Sequence, residues 1–123
     1  MRYITDRKRA EGRGSAHAGT EHHWSMQVSA VALAFLVPVW LYVFGSAIGG
    51  SRADVLATFA RPFPAILTAL VLVVAMRHFA KGAQMMIEDY LRGSSRKAAI
   101  IFAQSLAAVI TAMGLYALIK IAL

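Results

Sequence analysis

The chain has no cysteine, so it forms no disulfide, offers no thiolate nucleophile and gives no ligand to an iron–sulfur cluster. Charge is scarce as well. Only 15% of the residues are charged, thirteen of them basic and six acidic, and only three prolines interrupt the pattern. There is no nucleophile–base pair, phosphate-cradling loop or zinc-type spacing, which leaves hydrolase and ATPase chemistry without support. What fills the chain instead is apolar: 59% of its 123 residues are hydrophobic, far from the balance of a soluble domain. That length allows one domain of two to four spanning helices with little core of its own, stabilised by lipid and by neighbouring subunits. The net charge of +7 does not argue for nucleic acid, because the basic residues cluster beside apolar segments, where topology signals lie.

Three segments are long enough to cross a bilayer. Trp24 to Ser51 runs 28 positions without a charge and Ala98 to Ile119 runs 22, where about 20 suffice. The middle segment, Phe63 to Tyr90, is charge-free only until Arg77, His78 and Lys81 interrupt it. The pattern predicts an all-α membrane protein of three transmembrane helices, about 25–49, 63–90 and 96–121, forming part of a larger helix bundle. Residues 24–123 make the membrane domain, and residues 1–23 are a polar, irregular N-terminal segment. Gly49-Gly50-Ser51 ends the first helix and Arg61-Pro62-Phe63-Pro64 starts the second, since proline suits a first helical turn. Gly93 closes the second helix, and Ser94 or Ser95 caps the third. Pro38 should kink the first helix.

Basic residues set the orientation. Arg2, Arg7, Lys8, Arg9 and Arg13 precede the first helix, and Arg92, Arg96 and Lys97 lie in the second connection. Against these eight stand Arg52, Arg61 and Lys120. The excess predicts a cytoplasmic N-terminus and second connection. The N-terminal stretch does not read as a cleavable signal, because the apolar run after it is too long and no small-residue cleavage site precedes it. Asp6, Glu11 and Glu21 are out of place in a mitochondrial transit peptide. The expected location is a bacterial inner membrane.

The chemistry is concentrated on the second helix. A histidine deep in an apolar span is expensive unless it has a buried partner, and a metal suits a neutral imidazole. From His78, positions Gly82, Met85 and Asp89 follow at +4, +7 and +11, on nearly one helical face. One face thus carries a ligand, a position without a side chain, and a carboxylate near the membrane surface. Such a face suits a large flat cofactor, with a second polar site at Asp89 and Tyr90, about 18 Å away along the axis.

Plainer readings stand beside these. His78 can bond a carbonyl of a neighbouring helix. Gly82 can be a close helix contact, Tyr90 an interfacial aromatic, and Asp89 a counter-charge to Arg92. Lys81 can snorkel to the surface. Arg77 flanks His78 and can meet a cofactor carboxylate or a lipid phosphate. Met85, Met86 and scattered aromatics suit packing or pocket lining. His17, His22 and His23 lack the carboxylate or thiolate arrangement of a metal site and suit a polar contact with a soluble partner.

The run His78-Phe79-Ala80-Lys81-Gly82, followed by Glu88-Asp89-Tyr90, resembles the H-x3-G-x6-D-Y pattern of the smaller hydrophobic membrane anchor of succinate dehydrogenase, respiratory complex II. Gly14–His17 and Gly19–Trp24, leading into Val28–Leu33, are similar to the same subunit. The resemblance covers nearly the whole chain. It implies that His78 is an axial ligand of haem b, that Tyr90 hydrogen-bonds ubiquinone with Asp89 beside it, and that Gly82 faces the haem edge. Arg77 is then a candidate for a haem propionate. It also implies a second membrane anchor supplying the other axial histidine, an iron–sulfur subunit and a flavoprotein subunit, so this chain alone is not an enzyme. One departure is visible: many members carry an arginine where this chain reads Gln27-Val28. Rival readings are the anchor of another quinone-linked complex of the fumarate reductase type, or a non-redox membrane scaffold.

Overall fold

A computed structural model describes residues 4–12 and 19–123. Among the described residues five helices follow one another: α1 (Asp6–Glu11), α2 (Gly19–Ala47), α3 (Arg52–Ala60), α4 (Pro62–Tyr90) and α5 (Gly93–Ala122). No strand occurs among the described residues. Three helices, α2, α4 and α5, are long and apolar enough to span a membrane. At 1.5 Å per residue, 29 residues make about 44 Å of helix, against about 30 Å of hydrocarbon, so each helix carries a turn or more beyond the apolar layer.

Several boundaries differ from the sequence reading. The helix α2 begins at Gly19, within the polar segment, because hydrogen-bonded turns continue into water once a long helix is nucleated. Within the segment read as irregular, Asp6–Glu11 forms a short helix, with Arg7 Nε 3.1 Å from Glu11 Oε1 one turn on. Pro38 lies inside α2, which remains one helix across it.

The first connection holds a helix of its own. Ser51 caps α3 and forms a capping box with Asp54: each side chain bonds the other's backbone N–H, satisfying two of the orphan donors of a helix start. Those bonds from Ser51, side chain first and backbone second, hold the exposed Asp54 carboxyl below its ordinary value of 3.8. The chain then breaks at Arg61 (φ −70°, ψ 143°), since the following proline pushes its neighbour out of the helical region. Arg61 therefore ends α3 and starts α4. At the other end of α4, Leu91 and Arg92 are the whole connection to α5. Gly93 adopts φ +62°, a left-handed conformation that glycine takes without penalty. The turn is so tight that α5 starts at Gly93, with Arg92 in the cap position and no side-chain cap bond. Ser95, expected as a cap, instead donates to the Arg92 carbonyl at 2.7 Å.

The spans form an open row. The middle helix α4 packs against α2 on one side and α5 on the other, while α2 and α5 do not meet. Both packings are antiparallel: Trp40 meets Thr68 and Ser29 meets His78 across α2–α4, and Gln104 meets Gln84 across α5–α4. Trp40 donates to Thr68 Oγ1 at 3.1 Å, and Thr68 donates to the Pro64 carbonyl at 2.7 Å. Trp40 stacks on Phe44 (centroids 4.9 Å apart) and Phe44 tilts on Phe59 at 6.3 Å, which ties α3 to α2 through Phe59. On the other flank, α5 closes on α4 where Gly114 faces Leu72; a Cβ there would run into a Leu72 methyl. Phe59, Pro64, Leu67, Ala103 and Ala107 are the buried residues among those described, while Phe35, Tyr42, Phe102 and Met113 lie open on the flanks. A single row of three helices cannot enclose a core, so these flanks face lipid or further helices of a larger bundle.

Candidate functional site

The middle helix carries every predicted site residue, and its start explains their depth. Pro62 and Pro64 fix the first turn, and a run without charge, its one polar side chain Thr68, then leads to Met76. His78 follows about four turns in, half-buried on the side turned to α2. Its Nδ1 lies 2.9 Å from Ser29 Oγ. One turn further, Lys81 Nζ donates to Ser25 Oγ at 2.6 Å. Gly82 faces α2 too: a Cβ there would sit 3.6 Å from the Met26 Cε methyl, an ordinary contact. The position without a side chain thus lies against Met26.

Arg77 is exposed and opens onto a groove between α2 and α4. The groove, a cavity of about 450 Å³, is lined by Trp24, Val28, Ala32, Val73, Arg77 and Lys81. It is apolar along its floor and carries two cations and an indole at one end. Asp89 and Tyr90 stand at the end of α4, both exposed, with Tyr90 at 82%. The Tyr90 hydroxyl has no partner among the described residues. The ion pair Arg7–Glu11 is the only one among the described residues, so Asp89 is not bridged to Arg92. Glu88, its neighbour, accepts from Gln84 at 2.8 Å. His78 and Tyr90 share one helix, about 18 Å apart along its axis.

The remaining histidines are near the start of α2. His22 Nε2 is enclosed without a hydrogen-bond partner, and His23 is exposed. His17 lies outside the described residues. No group of three or more histidine, cysteine or acidic residues able to hold a metal ion occurs among the described residues. A lone imidazole serves only a metal that brings its other donors with it, as the iron of a porphyrin does. The donor set of α4 fits that group: one ring nitrogen is secured to α2, and the other has no partner among the described residues and is not enclosed.

The sequence reading found His78, Arg77, Lys81, Asp89 and Tyr90 but missed what holds two of them. Ser25 and Ser29 are four apart, hence on one face of α2, in a run otherwise almost free of polar side chains. That spacing was the available signal. It shows a polar face but not which helix it meets.

The family described as succinate dehydrogenase/fumarate reductase transmembrane subunit matches residues 1–112. A succinate dehydrogenase hydrophobic membrane anchor subunit of Paracoccus denitrificans is 54% identical over 123 residues, 100% of this chain and 95% of the relative. The subunit of the same name from Rickettsia bellii is 28% identical over 104 residues, covering 84% of this chain and 82% of the relative. That of Rickettsia conorii is 27% identical over 106 residues, with the same coverage. No solved structure matches. Three antiparallel spans, an open row of helices and a match along the full length agree: the chain belongs to the transmembrane subunits of succinate dehydrogenase and fumarate reductase, as a hydrophobic membrane anchor of succinate dehydrogenase.

Proposed function

We propose that this anchor would hold haem b through His78 as an iron ligand and lines a ubiquinone site with Tyr90 and Asp89. The observation that carries the reading is the state of His78: an imidazole within the span, with Nδ1 engaged at 2.9 Å and Nε2 left without a partner among the described residues. Haem b, when bound, supplies a one-electron redox centre whose potential depends on its ligands, their hydrogen bonds and burial. The chain's own residues position and neutralise. Arg77, exposed beside His78, offers a guanidinium suited to a propionate carboxylate. Tyr90 presents a free phenol that donates to a quinone carbonyl and stabilises negative charge as the carbonyl is reduced.

An anchor with so few buried residues fits a role completed by other chains. On this reading a second anchor would bring another histidine ligand, and a flavoprotein and an iron–sulfur subunit would oxidise succinate and pass electrons inward. The eight basic residues before α2 and after α4 support a cytoplasmic N-terminus and a quinone site at the cytoplasmic face of a bacterial inner membrane.

The test is the reduced-minus-oxidised spectrum of the purified complex with His78→Leu. The b-type band is expected to vanish while the complex still assembles. A normal band in that variant would remove the ligand.

A further inference from the structure

Ser29 Oγ lies within bonding distance of three atoms: the Ser25 carbonyl at 3.0 Å, the Met26 carbonyl at 2.9 Å and His78 Nδ1 at 2.9 Å. A hydroxyl has one proton and two lone pairs, and a carbonyl oxygen only accepts. If the proton pointed to Nδ1, both carbonyl oxygens would face Oγ lone pairs at about 3 Å with no hydrogen between them. The proton therefore goes to the carbonyls, a back-bond common for serine inside helices. Oγ is left as an acceptor, and Nδ1 must be the donor.

We propose that Ser29 is the positioning residue of His78: it fixes the tautomer with the proton on Nδ1, so that Nε2 presents its lone pair to the iron. The inference rests on the reading of His78 as haem ligand and adds the group that aims it. A metal-bound histidine generally donates its other ring N–H to an acceptor that sets ring orientation and raises ligand basicity. Here that acceptor comes from another helix, 49 residues away, so the α2–α4 packing itself aims the ligand. The enclosed, unpartnered ring nitrogens of the described residues do not include His78 Nε2, so the ligating atom is open to a group from outside this chain. Lys81 is not a competitor for the same hydroxyl, since it bonds Ser25.

The test uses the purified complex with Ser29→Ala, Ser29→Thr and Ser29→Val, beside His78→Leu. Haem retention, the low-temperature electron paramagnetic resonance spectrum of the oxidised haem and its midpoint potential are read for each. Ser29→Ala and Ser29→Val are expected to weaken haem retention about 10–100-fold. A less basic ligand favours ferrous over ferric iron, so the midpoint rises, by about 59 mV for each tenfold change in that ratio. Ser29→Thr, which keeps the hydroxyl and has the shape of valine, is expected to restore both. Threonine and valine variants with the same potential and spectrum would reduce Ser29 to packing and overturn the proposal, as would wild-type values in Ser29→Ala. A haem band surviving in His78→Leu sinks the ligand reading instead, and the two failures are told apart by that variant alone.

Discussion

Lys81 and Ser25 meet at 2.6 Å between α4 and α2, one turn from the contact of His78 with Ser29, so two polar rungs lie side by side at the end of the helix pair away from the Trp40–Thr68 bond. The rungs differ in what they hold: one ends on a cation, the other on a ring nitrogen that has further work to do. Ser25→Ala is expected to lower the thermal midpoint of the purified complex slightly, since a polar contact between membrane helices averages about 0.6 kcal/mol. It should leave the haem potential unchanged, because Lys81 can still reach the surface along its own stem. A potential shift as large as that of a Ser29 variant would show that the rungs are not separable.

Tyr90 offers a cleaner separation of function from fold. Its ring is 82% exposed, and its hydroxyl bonds nothing among the described residues. Removing the oxygen therefore disturbs no internal contact. Tyr90→Phe is expected to lower ubiquinone reduction about tenfold, the equivalent of one hydrogen bond of about 1.4 kcal/mol. Succinate oxidation with an artificial acceptor and the haem spectrum should be kept. Unchanged quinone reduction would return Tyr90 to the role of an interfacial aromatic.

The three spans were legible because a long run without charge has few alternatives, and α4 was singled out by Arg77, His78 and Lys81 interrupting one. Less legible was α3. Its nine residues, Arg52 and Asp54 among them, fell in the connection between the first two spans, although Ser51 and Asp54, three apart, carry the spacing of a capping box. Helix ends were missed where hydrogen-bonded turns outrun the apolar pattern, as at Gly19, or where a glycine makes a two-residue turn, as at Gly93. The site divides in the same way. A histidine in lipid announces itself in one dimension, but its partnership with Ser29 depends on the register of two antiparallel helices, which no local pattern carries. Met26 facing Gly82 is legible only in the packed structure for the same reason.

The capping box also gives a pH dependence with a definite sign. The Asp54 carboxyl titrates below 3.8 in the folded chain because bonds from Ser51 favour its charged form. Its contribution to α3 is therefore fully present above the unfolded value and is lost as pH falls through the folded one. Carbon-13 labelling of the three aspartates, followed by nuclear magnetic resonance in nanodiscs, reads this directly. In Ser51→Ala the Asp54 resonance should move at a higher pH, nearer 3.8, with the start of α3 frayed at neutral pH. An identical titration in the variant would mean that the box does not hold the carboxylate.

A close approach of two spans gives the last test. Gly114 lets α5 close on α4 at Leu72, where even one added carbon would meet a leucine methyl. The obstacle is the end of a flexible side chain, so Gly114→Ala should be tolerated by a small rotation of Leu72. Gly114→Val brings two more methyl groups into the same space, and overpacking of this kind typically costs about 1–3 kcal/mol. The complex should then melt earlier, and Leu72→Ala in the same chain should restore much of the loss by making room. Two residues in contact give effects that do not add, whereas residues apart give effects that do. Additive losses in the double variant would place the strain of Gly114→Val somewhere other than the α4–α5 contact.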